Sequence, residues 1–273
     1  MNGMELEEEG FEELKRKIQV DRGFNSGHYK DKCFRRRIAV RMRARGEETF
    51  HGYARLLDQD PQEYDLLLDA LTINVTKFFR NAETWATVER EVIPALFDAP
   101  RREVRIWSAG CASGEEAFTL SILLHEWARR NGRVRELRRF HILGTDIDQR
   151  SLDAARRAEF GELSMNETPP DLLERWFSPG PPWRLAEAAR ANVSFARRDL
   201  ISGEPEREQS LIVCRNVIIY FDREIQEELF RRFHDALVPG GFLLLGKVET
   251  LLGPARTLFR PVNSRERIFR RPE

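Results

Sequence analysis

The stretch Ile106-Trp107-Ser108-Ala109-Gly110-Cys111-Ala112-Ser113-Gly114-Glu115-Glu116 decides the fold. An apolar run opening at Val104 reads as a strand, a small-residue turn follows, and a helical pattern runs from Gly114 to about Arg130. Gly110 and its small neighbours let the backbone come close to a ligand at the carboxyl end of the strand. Ser113 and Glu116 have the spacing of a capping box at the helix start. The turn lacks the Gly-x-Gly-x-x-Gly of a dinucleotide site and the Lys-Ser/Thr of a P-loop. Two carboxylates at a helix start repel a pyrophosphate and suit a cation. The ammonium and sulfonium of S-adenosylmethionine (SAM) therefore fit better than NAD.

Working outward, strands are expected at 140–145, 193–196, 211–214 and 242–245. Helices are expected over 149–158 and 223–237, the latter ending at Pro239-Gly240-Gly241. Such alternation predicts a mostly parallel, Rossmann-like α/β sheet covered on both faces. Leu258–Val262 and Arg265–Arg270 read as a closing antiparallel hairpin. The second strand ends in Thr145-Asp146-Ile147-Asp148. An acidic residue there accepts hydrogen bonds from ribose hydroxyls, the role given to Asp146, while Asp148 caps the next helix. Asp146 lies further from Gly110 than the usual ~20 residues of the dinucleotide fingerprint, which a long first helix and the loop 131–139 accommodate.

Upstream the character changes. Phe11, Leu14 and Ile18, then Phe34, Ile38 and Met42, then Tyr64, Leu67 and Leu71 recur at helical spacing, with turn signals between them. The expected organisation is a small all-helical domain over 1–83, a linker helix over 84–100, and an α/β domain over 101–273. The region at about 178–197 reads either as a plain crossover or as a small inserted subdomain.

The chain has 45 basic and 45 acidic residues, so no global field points to nucleic acid or membrane. Three scattered cysteines make neither a disulfide framework nor a zinc site and suit a reducing compartment. The acidic N-terminus has no apolar core of a signal peptide, and no apolar run approaches the ~20 residues that span a bilayer. A cytoplasmic protein without membrane insertion is expected. The five histidines show no ligand spacing, and no metal is expected.

The quoted turn, Thr145-Asp146-Ile147-Asp148, Cys214-Arg215-Asn216-Val217-Ile218-Ile219-Tyr220-Phe221-Asp222, Asn74-Val75-Thr76-Lys77-Phe78-Phe79-Arg80 and Pro239-Gly240-Gly241-Phe242-Leu243 together resemble the chemotaxis receptor methyltransferase family, CheR. The resemblance spans nearly the whole chain. It implies a helical domain followed by a class I methyltransferase domain, and SAM-dependent methylation of glutamates on chemoreceptor cytoplasmic helices. The products are a glutamyl methyl ester, used in chemotactic adaptation, and S-adenosylhomocysteine (SAH).

By resemblance, Asn74, Thr76 and Arg80 form a linker-side wall of the cofactor site. Glu116 and Asp146 bind the amino-acid and ribose portions beside Gly110, Asp199 and Leu200 flank the adenine, and Arg215 and Asn216 line the pocket below the methyl group. The acceptor glutamate is already ionised at neutral pH, with a pKa of about 4.3, so no general base is needed. Arg80 and Arg215 are candidates to hold its carboxylate in a planar fork. Tyr220 either closes over the methyl group or packs.

The segment 30–45 is strongly basic, and Arg37, Arg41 and Arg45 recur at i+4 on one helix face. The resemblance turns that face toward acidic receptor helices. A compact 179–192 without a glycine-rich hairpin turn argues against docking on a receptor tail peptide. A monomer is expected. A non-catalytic SAM-sensing or scaffold module of the same fold is the alternative. A nucleic-acid methyltransferase is disfavoured, because no Asn/Asp-Pro-Pro-aromatic string is present.

Overall fold

The computed structural model describes residues 3–24, 26–71, 76–204 and 206–273, without the side chains of 3 and 4. The chain forms two compact units. One comprises Met1–Ile73 with Tyr220–Ile225, the other Asn74–Ile219 with Gln226–Glu273. Among the described residues no helix is long and apolar enough to cross a membrane.

The first unit contains α1 (Gly3–Arg22), α2 (Asp31–Arg45), α3 (Phe50–Gln59) and α4 (Pro61–Leu71). The expected apolar stripes are its core: Phe11, Leu14, Ile18, Phe34, Ile38, Met42, Tyr64, Leu67 and Leu71 are all buried. Local signals set the boundaries. Gly46 adopts φ 70° and ends α2, Thr49 Oγ1 accepts from Gly52 N at the start of α3, and Asp60 Oδ1 accepts from Glu63 N ahead of Pro61. Tyr220–Ile225 joins this unit through Lys30 N to Tyr220 O at 2.9 Å and Asp222 N to His28 O at 3.2 Å.

The basic face of α2 differs from expectation. Arg41 reaches fully buried Glu63 through Nε at 2.9 Å and Nη2 at 2.6 Å. Arg45 pairs with Asp60 and Glu63. Arg37 is half-buried, donates to the carbonyls of Ala70 and Leu71, and lies 4.6 Å over the Tyr220 ring. Arg37, Arg41 and Arg45 are thus consumed in packing α2 against α4, because the i+4 row beside the apolar stripe flanks the core rather than opposing it. The outward cations are Lys32, Arg36 and Arg43, all exposed.

In the second unit seven strands form one sheet in the order β5-β2-β1-β6-β7-β9-β8. They are β1 (Val104–Ala109), β2 (Phe140–Asp146), β5 (Val193–Arg197), β6 (Gln209–Cys214), β7 (Leu237–Leu245), β8 (Arg260–Asn263) and β9 (Ile268–Arg270). β1, β2, β5, β6 and β7 pair in parallel, and β9 and β8 close the edge antiparallel. Every residue of β6 is buried, so both faces of the sheet are covered at its centre. The connecting helices are α7 (Glu115–Arg130), α8 (Gln149–Arg157) and α12 (Arg223–Ala236), with a short α13 (Ala255–Leu258) before β8. This is the mostly parallel Rossmann-like architecture expected from the sequence, closed by antiparallel C-terminal strands.

One domain boundary departs from the expected layout. Residues 76–83 belong with the sheet unit, since Phe78 and Phe79 are buried in its core and Phe78 stands edge-on to Phe160 and Phe177. The helix expected over 84–100 is present as a continuous run of α5 (Ala82–Thr87), a π-helical turn (Val88–Val92) and α6 (Ile93–Asp98), with right-handed helical backbone at each junction. The π-helical turn lies just ahead of Pro94, which has no N–H to offer the preceding turn. Between β2 and β5 a compact insertion holds β3 (Glu159–Phe160), α9 (Glu162–Met165), α10 (Pro170–Trp176), β4 (Trp183–Arg184) and α11 (Glu187–Arg190), with β3 and β4 antiparallel. Residues 193–197, where an expected strand overlapped the end of the expected insertion, form the outer strand of the main sheet, so the strand reading holds and the insertion ends before it.

Candidate cofactor and methyl-transfer site

β1 pairs with β2 on one side and β6 on the other, so the chain order reverses between β1 and β6. A crevice opens outside the carboxyl ends of the strands at such a switch point. The loop after β1 turns there through Gly110 at φ 78°, Ala112 at φ 46° and Gly114 at φ 91°. Gly110 N and Cys111 N both donate to Thr145 O, at 2.8 and 3.0 Å. A Cβ on Gly110 would fall 2.5 Å from Val217 Cγ2, so only glycine lets the loops after β1 and β6 meet.

The expected capping box is not made. Gly114 is the N-cap of α7 and no side chain caps it. Ser113 Oγ donates to Glu115 instead, and buried Glu115 also accepts from Ser164 Oγ at 2.9 Å. Glu116 is thereby released to face the strand ends. It accepts from Ser108 Oγ at 2.8 Å, and the Arg215 guanidinium lies 3.6 Å away. Burial pushes the Glu116 carboxyl above its ordinary range, with Arg215 and Ser108 opposing only in part.

Asp146, at the end of β2, ties the two loops together. Its Oδ2 accepts from Ala112 N at 2.8 Å and its Oδ1 from Asp148 N at 3.0 Å. Burial raises its pKa against these two hydrogen bonds. Each carboxylate oxygen retains a further acceptor position. Asp148 caps α8 as expected, accepting from Arg150 N and Ser151 N.

Arg215 follows β6 and is buried. Its Nη2 donates to Arg80 O at 2.9 Å and to Asn81 Oδ1 at 2.8 Å, and its guanidinium lies 5.1 Å over the Trp85 ring. It therefore anchors the segment carrying Arg80, while its Nε and the neighbouring Asn216 Oδ1 are buried without a protein partner. Phe79 at φ 52° and Asn81 at φ 63° hold Arg80 between two left-handed residues, and Arg80 itself is half-buried.

The geometry thus brings Gly110, Glu116, Asp146, Arg215, Asn216 and the backbone of Arg80 to the loops beyond β1, β2 and β6. Asp199 accepts from Ile201 N and Ser202 Oγ in the turn after β5, and Leu200 is half-buried beside it. Thr76 is half-buried. Asn74 lies outside the described residues. Tyr220 belongs to the helical unit.

Sequence reading missed Ser108, Asn81, Trp85 and Glu249. Glu249 was the most legible of these, a lone carboxylate four positions past the last parallel strand on the edge where ligands bind.

Residues 74–268 match the family model of the CheR methyltransferase SAM-binding domain, and residues 9–72 match that of the CheR all-alpha domain. The chain belongs to the CheR methyltransferase family. The chemotaxis protein methyltransferase of Listeria innocua is 33% identical over 241 residues, covering 88% of this chain and 89% of the relative. Chemotaxis protein methyltransferase 1 of Pseudomonas aeruginosa is 33% identical over 193 residues, covering 68% of this chain and 70% of the relative. An uncharacterized 104.1 kDa protein of Rhodobacter capsulatus is 35% identical over 244 residues, which cover 88% of this chain and 25% of that protein. This CheR-family chain is accordingly a SAM-dependent methyltransferase by fold and family, and the crevice between β1 and β6 is where its cofactor chemistry is to be sought.

Proposed function

We propose that the protein transfers a methyl group from SAM to specific glutamate side chains on the cytoplasmic helices of chemoreceptors, giving the methyl esters used in chemotactic adaptation. The observation that carries this reading is the union, in one chain, of a SAM-binding domain with an all-α domain whose second helix turns Lys32, Arg36 and Arg43 outward. None of these three has an ion-pair partner among the described residues. Unpaired cations on one helix face complement an acidic helix. The names of the Listeria and Pseudomonas relatives support the same assignment.

The residues present fit SAM. Glu116 is a half-buried carboxylate short of partners and suits an ammonium group. Asp146 retains acceptor positions for ribose hydroxyls, and Asn216 Oδ1 and Arg215 Nε wait buried in the same crevice. Gly110 keeps the loop low enough for a ligand to lie over it. When bound, SAM supplies an electrophilic methyl on a good leaving group.

This chain's residues then orient and exclude water rather than exchange protons. Arg215 holds Arg80 in place through the Arg80 carbonyl. The Arg80 side chain is the one assigned to the acceptor carboxylate, and Arg215, already engaged with Arg80 O, Asn81 and Glu116, has a positioning role. Tyr220, whose ring is covered by Arg37, is assigned a packing role.

The test is transfer of radiolabelled methyl from SAM to cytoplasmic chemoreceptor fragments, with alkaline release of the label to identify an ester. Tight SAM retention with no label on any fragment would leave a SAM-binding scaffold as the surviving reading.

A further inference from the structure

Glu249 is buried, and the chemistry described so far does not use it. Its Oε1 accepts from Val217 N at 2.9 Å, Ile218 N at 2.8 Å and Ile219 N at 3.4 Å. Its Oε2 accepts from Asn216 N at 2.9 Å and Gly246 N at 2.7 Å. One side chain thus satisfies the consecutive N–H groups of the turn after β6 and the first N–H after β7. A carboxylate is the side chain suited to this, because it accepts on both oxygens and donates on neither.

The turn needs such a holder. Asn216 sits at φ 62°, a left-handed conformation that a non-glycine residue keeps only when its surroundings impose it. Gly246 is part of the same device, since a Cβ there would fall 2.7 Å from Glu249 Oε2 and 2.8 Å from Asn216 N. The turn it fixes has three consequences. Val217 closes on Gly110 and so sets the height of the loop after β1. Asn216 presents its unpartnered Oδ1. Arg215, one residue upstream, ties down Arg80 and Asn81.

We propose that Glu249 is a positioning residue for the cofactor site, acting through the 215–219 turn. The inference rests on the methyltransferase reading above. It differs from a purely structural role in one respect: disturbing Glu249 must change cofactor affinity beyond what lost stability explains.

The experiment compares the full-length wild type with Glu249→Gln, and with Glu266→Gln as a buried-carboxylate control. Glu266 accepts from Thr84 and Lys247 and does not touch the turn. A carboxamide at 249 turns its NH2 toward at least two N–H donors. SAH affinity by calorimetry should therefore fall at least about tenfold in Glu249→Gln, the scale of a stranded buried polar group, while Glu266→Gln changes it by less than about twofold at a similar loss of Tm.

Equal SAH affinity in folded Glu249→Gln and wild type would overturn the proposal and leave the methyltransferase reading intact. A wild type that fails to bind SAH would instead sink the reading itself. If Glu249→Gln does not fold, the wild type still decides. Amide resonances of Asn216, Val217, Ile218 and Gly246 should shift when SAH is added, and unmoved resonances would overturn the proposal.

Discussion

Glu63 in the helical unit and Glu116 in the sheet unit are both carboxylates taken out of water beside an arginine, yet they are treated in opposite ways. Glu63 is fully saturated by its own chain: Arg41 binds it with two hydrogen bonds, Tyr53 donates at 2.6 Å and Arg45 at 3.3 Å. Burial pushes Glu63 up, but Arg41 and Tyr53 outweigh it and hold the carboxyl below its ordinary range. Glu116 has one hydroxyl and an arginine at 3.6 Å, too far for a hydrogen bond. There burial wins and the carboxyl is raised. A carboxylate closed by its own neighbours is a piece of architecture. One left short of partners, at the carboxyl end of a parallel sheet, keeps acceptor positions open, as the proposed ammonium contact requires.

The largest effect should come from opening the saturated cluster. Arg41→Ala leaves Glu63 buried beside a weaker partner and should cost the helical unit about 3–5 kcal/mol, measured by urea unfolding, with SAH affinity unchanged. The same cluster has a pH signature. Because the folded-state pKa of Glu63 is depressed, its stabilisation is complete above the unfolded value of about 4.3 and is lost as pH falls through the folded value. Stability measured from pH 7 down to pH 3 should therefore drop less steeply in Arg41→Ala than in wild type. Parallel curves would mean that Glu63 is not the group being titrated.

Next in size is Arg80→Ala. The Arg215 anchor uses the Arg80 carbonyl, which survives the substitution, so the melting temperature should hardly move. Methyl transfer should fall on the order of 10²-fold, the typical cost of misplacing a reacting group. A variant that melts normally and methylates at the wild-type rate removes the linker from the acceptor side of the site.

The two units also differ in how far sequence alone revealed them. β1 and α7 lie within a residue of the expected spans, and the buried faces of α1, α2 and α4 are the predicted apolar stripes. Periodicity is strong in long elements, where each turn repeats the signal. It also misled once. Arg37, Arg41 and Arg45 share a helix face, but spacing alone does not say whether that face meets water or a neighbouring helix. The partner that decided it, Glu63, lies on α4. Glu249 shows the same limit from the other side. Its five donors come from two loops, 216–219 and 246, brought together only by strand pairing of β6 with β7. Residues whose role is set by long-range partners carry little local signal, whereas glycine turns and strand runs carry a great deal.

Glu116→Gln sharpens the contrast between the two carboxylates. The carboxamide oxygen can still accept from Ser108, so stability should fall less than in Arg41→Ala. SAH affinity should weaken by about 1.5–3 kcal/mol, the scale of a hydrogen bond to a charged group, because the ammonium loses its counter-charge. If instead Glu116→Gln unfolds the sheet unit while Arg41→Ala leaves the helical unit intact, the roles given to the two carboxylates are reversed.

The smallest effect is expected at the surface, where the redistribution of charge on α2 can be tested directly. Lys32, Arg36 and Arg43 are exposed and unpaired among the described residues, whereas Arg37, Arg41 and Arg45 are spent within the helical unit. Replacing the outward three by glutamate should leave melting temperature and SAH affinity near wild type. An exposed charge pair is worth about 0–1 kcal/mol, so losing three attractions should slow methylation of a receptor fragment by about tenfold at low salt. Reversal adds repulsion, which salt screens over a Debye length of ~10 Å at 0.1 M, so the gap between the two proteins should narrow as salt rises. The corresponding triple replacement of Arg37, Arg41 and Arg45 should fail differently, by unfolding the helical unit before any rate can be read. Equal rates for wild type and the Lys32/Arg36/Arg43 variant at low salt would show that this face of α2 is only a solvated surface, and the acceptor would have to dock elsewhere.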